Sequence, residues 1–290
     1  MSHFFTVDVE DYFQVNAFER VVDRAEWDAF PGRVERSTER LLDLLNRKQA
    51  VGTFFTLGWV ARKYPRLVRR ITDAGHEVAS HSWWHKRVTG LSPEEFREEV
   101  RSSRAILEDA GGQRVYGFRA PSFSIVPGRE WALDILLEEG YAYDSSLFPI
   151  RRPDYGYPSA NPDPHVWLRA AGRLLELPPA TTTAFGLRVP AAGGGYFRQF
   201  PYAVTRRAFH QCELRGVPGM FYIHPWEVDP DQPRLSVPLV ARLRHYTGLR
   251  RTLPRLERLL SEFRFTSVAR HFGLAPNLAG PVDWPATLPA

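Results

Sequence analysis

The chain has 290 residues, 43% hydrophobic, 13% aromatic and 24% charged, proportions that exclude a disordered or fibrous protein. Its single cysteine, Cys212, excludes a disulfide framework and a cysteine-rich zinc module. The 38 basic residues outnumber the 33 acidic ones to give a net charge of +5, but they are scattered among carboxylates along the whole length, which is not the clustered footprint of a nucleic-acid-binding face. The densest basic stretch, Arg242, Arg244, Arg250, Arg251, Arg255 and Arg258, reads first as a solvated helix face and, as the functional alternative, as an attractor of an anionic substrate or membrane surface. No apolar run approaches the ~18 residues a spanning helix needs. With no basic leader and apolar core ahead of the first strand, the expectation is a cytoplasmic protein.

Strand-like and helix-like segments alternate. Phe4–Val9 reads as a strand, Arg36–Lys48 as a helix with Leu41, Leu42, Leu44 and Leu45 at helical spacing, and Thr53–Leu57 as a second strand. A helix over Trp59–Ala74 should stop at Gly75, with an extended segment His76–Ser80 after it. Ser92, Pro93 and Glu95 supply an N-cap, a first-turn proline and the return partner of a capping box, so the next helix should run to about Ala110 and end at Gly111 and Gly112. Strand Val115–Phe118, helix Arg129–Glu139 and strand Tyr141–Tyr143 continue the rhythm. Pro149–Pro164 is rich in Pro, Gly and Tyr and reads as a long loop over one rim. Leu174–Leu177 and Gly219–His224 are then expected as strands, and Pro201–Leu214 and Leu253–Phe263 as helices. Roughly seven such units without a composition break point to one α/β domain over residues 1–273, a single distorted (β/α) barrel with about seven parallel strands, followed by a Pro-rich tail over 274–290.

In such a barrel, chemistry gathers where strands end. Four clusters fall there. His81 and His85 are four apart just after a strand, so one turn of helix would aim both at one point, a spacing that suits a metal. Asp8, Glu10 and Asp11 would repel one another at the end of strand one unless a cation or an arginine sat among them. Arg119 follows Phe118, and His224 follows Ile223, each at a strand terminus. Along strand one, alternate side chains share a face, which puts Glu10 beside Asp8 and favours it over Asp11 as a ligand; a strand ending at Glu10 would let Asp11 swing back, so both stay open. Ala192–Arg198 is the one glycine-rich stretch and lacks the ending of a nucleotide loop, which leaves a tight connection or a rim presenting Tyr196 and Arg198. Trp83, Trp84 and Trp226, beside the metal and acid candidates, could stack on sugar faces or pack the core.

Taken in order, these segments resemble the polysaccharide deacetylases of carbohydrate esterase family four, the NodB-homology fold. The likeness runs from Phe4 to about Phe272, through Thr6–Asp11, His81–His85, Arg119–Phe123, Asp144–Ser146 and Ile223 with His224, and is nearest to the branch of allantoinase-like and peptidoglycan-deacetylase-like proteins, including deacetylases linked to exopolysaccharide export. The departure is in the first motif: the family commonly has two adjacent aspartates, a base and a ligand, whereas here Asp8 is followed by Val9, Glu10 and Asp11.

The resemblance implies hydrolysis of N-acetyl groups on N-acetylhexosamine residues of a bacterial polysaccharide or its precursor. It implies a divalent cofactor, zinc being the expected ion, on His81, His85 and Glu10 or Asp11. Asp8 would be the general base, Arg119 its partner and His224 the general acid, with a backbone amide of the arginine loop facing the developing oxyanion. Trp84, Tyr196, Arg198 and Trp226 are the substrate-binding candidates. Two other functions stand beside this one: a cyclic-amide hydrolase of the allantoinase or imidase type, and a catalytically silent carbohydrate-binding module, which the full residue set disfavours.

Overall fold

The structure, a computed structural model, describes residues 1–184, 186–274 and Trp284. In its first part strand and helix alternate: β1 (His3–Val9), α1 (Val34–Arg47), β2 (Thr53–Thr56), α2 (Gly58–Lys63), α3 (Pro65–Asp73), β3 (Glu77–Ser80), α4 (Pro93–Gly111), β4 (Gly117–Phe118), α5 (Trp131–Glu138) and β5 (Tyr143–Asp144). The expected helix over Trp59–Ala74 is two helices, because Pro65 starts a new one and holds Tyr64 at φ −129° and ψ 57°, outside the helical region. The capping box forms: Ser92 Oγ accepts from Glu95 N–H at 3.2 Å, Glu95 Oε2 accepts from Ser92 N–H at 2.8 Å, and Gly112 at φ 69° ends α4.

The second part is less regular. An antiparallel hairpin of β6 (His165–Arg169) and β7 (Gly172–Glu176) is followed by a separate hairpin of β8 (Thr181–Ala184) and β9 (Leu187–Pro190). Then come α6 (Gly194–Gln199), α7 (Tyr202–Leu214), β10 (Met220–Ile223), α8 (Leu239–Tyr246), α9 (Leu249–Glu262), β11 (Phe265–Thr266) and α10 (Val268–Phe272).

The main sheet runs β10-β1-β2-β3-β4-β5-β7-β6, with β11 added beside β1. The seven neighbours from β10 to β7 all pair in parallel. Just beyond β7, Pro179 bridges to Met220 in β10 and Ala180 N–H donates to the Met220 carbonyl at 2.9 Å, so the two ends meet in a distorted seven-stranded barrel. β1 is buried along its whole length, as a parallel strand covered on both faces must be. Its alternation decides what lies inside: Phe4 packs with Phe55, Tyr143, Leu175 and Met220, while Phe5, Val7 and Val9 join the cluster that carries Leu41, Leu44 and Leu45 of α1. Of the stretch expected as a tail, all but Leu274 and Trp284 lies outside the described residues; Trp284 is buried, its indole N–H donating to the Ala142 carbonyl at 3.0 Å.

Candidate active site

His81, Arg119 and His224 are each the first residue beyond β3, β4 and β10, and Glu10 is the first beyond β1. Parallel strands end at the same rim, so these side chains converge on the barrel mouth with Asp8, which shares the inward face of Phe4 and Thr6.

Glu10, His81 and His85 offer donor atoms that all lie within 4.8 Å of one another, and all three residues are buried. His81 turns Nδ1 to the Arg119 carbonyl at 2.8 Å, which leaves Nε2 for the cluster. His85 Nε2 stands 2.7 Å from Glu10 Oε2, and the Asn16 amide lies 3.2 Å from its Nδ1. Glu10 Oε2 is buried without an aligned hydrogen bond, the condition of a ligand oxygen facing a shared cation. Burial alone would raise Glu10, but His85, with His224 and His81 behind it, more than reverses this and holds it down to about 2. Burial also lowers His81 to about 4, keeping it neutral as a ligand must be. The donor set therefore fits a divalent ion.

The histidine segment is not the helical turn expected from the spacing. Ser82 and His85 sit at φ 67° and 53°, in the left-handed region that costs a non-glycine residue about 1–3 kcal/mol. Glu99 of α4 holds this loop: its Oε2 accepts from Ser82 Oγ at 2.7 Å and from the Trp83 and Trp84 N–H groups at 3.0 Å each. Sequence reasoning missed Glu99, whose only signal was a carboxylate on the buried side of an otherwise charged helix.

On one side of the triad, Arg119 donates to Asp8 Oδ1 at 2.5 Å and to Thr6 Oγ1 and Ser145 Oγ at 2.9 Å each, with its guanidinium 4.1 Å above the Phe55 ring. Both members of this pair are buried, so Arg119 holds the Asp8 carboxylate in place and its second oxygen faces the cavity. On the other side, His224 Nε2 lies 3.8 Å from Asp8 Oδ2 and 3.7 Å from Glu10 Oε1, while its Nδ1 is bonded to Glu227 Oε1 at 2.7 Å. Burial works against a charge on His224, but the Glu227 hydrogen bond and the Glu10, Glu227 and Asp8 charges outweigh it and lift the imidazole to about 9. Glu227 is in turn paired with Arg198. It lies three residues after His224, a spacing that the one-turn helix at Pro225–Val228 turns into contact, and the sequence reading left it unassigned.

A cavity of about 270 Å³ opens over Asp8, Glu10, His81, His85 and His224. It merges through Tyr155, Tyr222, Trp226 and Arg244 with a second of about 530 Å³ that reaches Arg152 and Tyr196. Of the expected substrate contacts only Tyr196 takes an open place on this groove, where its hydroxyl meets those of Tyr155 and Arg152 Nε. Trp84 lies away from it, against Trp27 and under Arg62, because the left-handed loop turns it outward. Arg198 is buried and spent on Glu227 and the Arg244 and Thr247 carbonyls, so it positions and does not bind. Trp226 borders the groove, but its faces are taken by His224 at 5.2 Å and His245 at 4.0 Å, and its N–H donates to Glu10 Oε1 at 3.1 Å. Asp11 turns from the cluster altogether: it accepts the N–H groups of Tyr12, Arg33 and Val34 at 2.8, 2.6 and 3.0 Å and so caps α1. The glycine stretch is a close approach, since a Cβ on Gly193 would meet the Tyr222 carbonyl at 1.9 Å.

Residues 26–128 match the polysaccharide deacetylase family. Over these residues the chain is similar to the polysaccharide deacetylases. Residues 145–273 match a domain of unknown function, DUF3473. Among curated relatives, a peptidoglycan-N-acetylglucosamine deacetylase of Bacillus cereus is 30% identical over 98 residues, 33% of this chain and 36% of the relative. A chitooligosaccharide deacetylase of a Bradyrhizobium species is 30% identical over 99 residues, 34% of this chain and 43% of the relative. The matched length is thus less than half of either relative. A Mycobacterium smegmatis crystal structure assigned to the polysaccharide deacetylases is 20% identical, with a TM-score of 0.63 over 97% of this chain and 94% of that one, a likeness of fold.

Proposed function

We propose that the protein hydrolyses N-acetyl groups from N-acetylhexosamine residues of a bacterial polysaccharide or its precursor, with zinc held by Glu10, His81 and His85. The observation that carries this reading is the buried triad flanked by a fixed carboxylate, Asp8, on one side and a proton-bearing imidazole, His224, on the other. The curated relatives named above support the substrate class, since both are named as deacetylases of N-acetylglucosamine-containing material or of chitooligosaccharide.

A divalent ion at the triad would supply Lewis-acid polarisation of the acetyl carbonyl and acidify a water beside it. Asp8, oriented by its hydrogen bond from Arg119, takes the proton from the attacking water. His224, charged at neutral pH because it titrates near 9, presents Nε2–H to the same cavity and delivers a proton to the leaving amine. Glu227 holds its Nδ1–H and thereby the ring orientation. The test is acetate release from N-acetylated chitooligosaccharide by zinc-loaded protein, run in parallel with ring opening of cyclic amides. Acetate release lost on chelation and restored by metal supports the reading. Turnover of cyclic amides alone, or release that survives chelation with no metal in the protein, overturns it.

A further inference from the structure

Large aliphatic side chains are rarely left in water as a group, so three on one short helix call for an explanation. In α8, Leu239, Val240 and Leu243 are 59%, 64% and 56% exposed. At about 100° per residue, Leu239, Leu243 and Val240 share an arc of ~100°, with Arg242 roughly 60° beyond one edge and Arg244 roughly 40° beyond the other. The opposite side, carrying the buried His245, packs into the protein against Phe18 and Trp226. The helix is thus seated by one face and presents an apolar stripe bracketed by guanidinium groups on the other.

The sequence around it is uniformly positive. From Gln232 to Leu256 the sequence holds six arginines and no carboxylate. Arg255 is consumed by the Phe197, Arg198 and Phe200 carbonyls, but among the described residues no salt bridge forms to Arg234, Arg242, Arg244, Arg250 or Arg251. Elsewhere on the surface arginines do find partners: Arg97 and Arg101 with Glu139, Arg169 with Asp134, and Arg215 with Asp163. Some elsewhere do not, Arg66, Arg129 and Arg173 among them, so what marks this stretch is that its unpaired arginines flank an exposed aliphatic arc.

We propose that α8 and these arginines form a docking surface for the anionic face of a lipid bilayer. The aliphatic arc enters the boundary between headgroups and acyl chains, and the arginines on either side lay their stems along it and meet lipid phosphates. A purely apolar partner would leave the flanking charges unanswered, and a purely anionic polymer would leave the aliphatic arc in water; an anionic bilayer satisfies both. Arg244 also lines the groove over the triad, so docking by this face sets the groove beside the membrane plane, where a lipid-linked or membrane-proximal glycan could enter it. This goes beyond the deacetylase reading and is read out separately from it.

The test is co-sedimentation of the full chain with phosphatidylcholine vesicles prepared with and without phosphatidylglycerol. We expect binding to the anionic vesicles that weakens with added salt, and little to the neutral ones. The combined Leu239→Gln, Val240→Gln, Leu243→Gln variant should lose binding, and the combined Arg242→Gln, Arg250→Gln, Arg251→Gln variant should bind on the order of tenfold to a hundredfold more weakly. Neither set lines the groove, so both variants should release acetate from a soluble chitooligosaccharide as the parent does, which also reports that they are folded. No binding to anionic vesicles, equal binding to both kinds, or undiminished binding by both variants overturns the proposal. So does a concentration-dependent dimer in light scattering that the leucine variant abolishes, for the face would then belong to a second copy of the chain.

Discussion

The part of the barrel from β1 to β4 and the part from β5 to α10 contribute to one site in different ways. In the first, the site residues stand at strand ends or on the loop after β3, and several are held by a neighbour from the same part: His81 by the Arg119 carbonyl, the histidine loop by Glu99, His85 by Asn16. The second sends His224 and the Trp226 N–H to the triad and otherwise builds walls, with Tyr155, Tyr196, Tyr222, Arg152 and Arg244 along the groove. The family matches divide near the same place, with residues 26–128 on one side and 145–273 on the other. Strand ends fix reacting groups to fractions of an ångström, while loops and hairpins set into the return path of the barrel decide what reaches them. The parts are also joined by Asp229, buried just after the His224 segment and within 3.5 Å of Arg33, Arg36 and Arg40 beside and on α1.

The sharpest way to break this comparison is to remove a ligand from the first part. Glu10→Gln, His81→Ala or His85→Ala should each abolish stoichiometric metal after dialysis and lower acetate release on the order of a thousandfold or more. Metal content by mass spectrometry and turnover must fall together. Asp11→Asn should keep the metal and instead loosen the start of α1, since it sits under that helix end. Metal lost from Asp11→Asn and kept in Glu10→Gln would reverse the assignment.

How much of this was legible in the sequence follows the same division. The regular part could be read because its strands carry continuous apolar runs and its helices carry caps, as with Ser92 and Glu95, so the ends of β1, β3 and β4 and the residues on them fell where periodicity placed them. The break at Pro65 was readable from the proline itself and was passed over. What failed were inferences about side-chain direction. Trp84 follows a residue in a loop whose neighbours adopt left-handed backbone, a conformation that no pattern of types announces for Ser82 or His85. Trp226 and Arg198 sit at the right height of the barrel, but their partners, His245 and Glu227, come from the irregular return path, and of the hairpins β6–β7 and β8–β9 that shape that path only β7 was legible, as the strand expected at Leu174–Leu177.

The next test separates the part that supplies the acid from the rest. Asp8→Asn and His224→Ala should each lower turnover roughly a hundredfold to ten-thousandfold with metal retained. Glu227→Gln should do less and reveal more. With His224 as the proposed acid, its protonated form is the active one, and Glu227 is among the groups that raise it to about 9, so activity in the parent should be lost as pH rises through about 9. Without the carboxylate the imidazole releases its proton more readily, and this basic limb should move toward neutral pH while KM stays near the parent value. An unmoved limb would mean that another group reports the proton.

The smallest effect belongs to the second part itself, beside its junction with β4. Asp144 at the end of β5 and Glu176 at the end of β7 are directly paired in register, and both are buried. Burial raises Asp144 to about 6; hydrogen bonds from Ser146, including Ser146 Oγ at 2.5 Å, work in the other direction. Burial, reinforced by the Asp144 charge, raises Glu176 well above the usual carboxylate range. Their folded-state values therefore lie above the unfolded ones, near 4, and the folded state holds more protons in between. The stability that comes from protonation is complete below about pH 4 and is lost as pH rises, through about 6 for Asp144 and further for Glu176, with the two titrating as a pair. Glu176→Gln keeps the shape and an oxygen to accept the Leu147 N–H at 3.0 Å, but has no proton to lose. It should be indistinguishable from the parent in denaturant unfolding near pH 4.5 and more stable at pH 8, by on the order of 1–3 kcal/mol. A gain of the same size at both pH values would assign the effect to packing, and a loss at pH 8 would show that the ionised pair is held by something other than a shared proton.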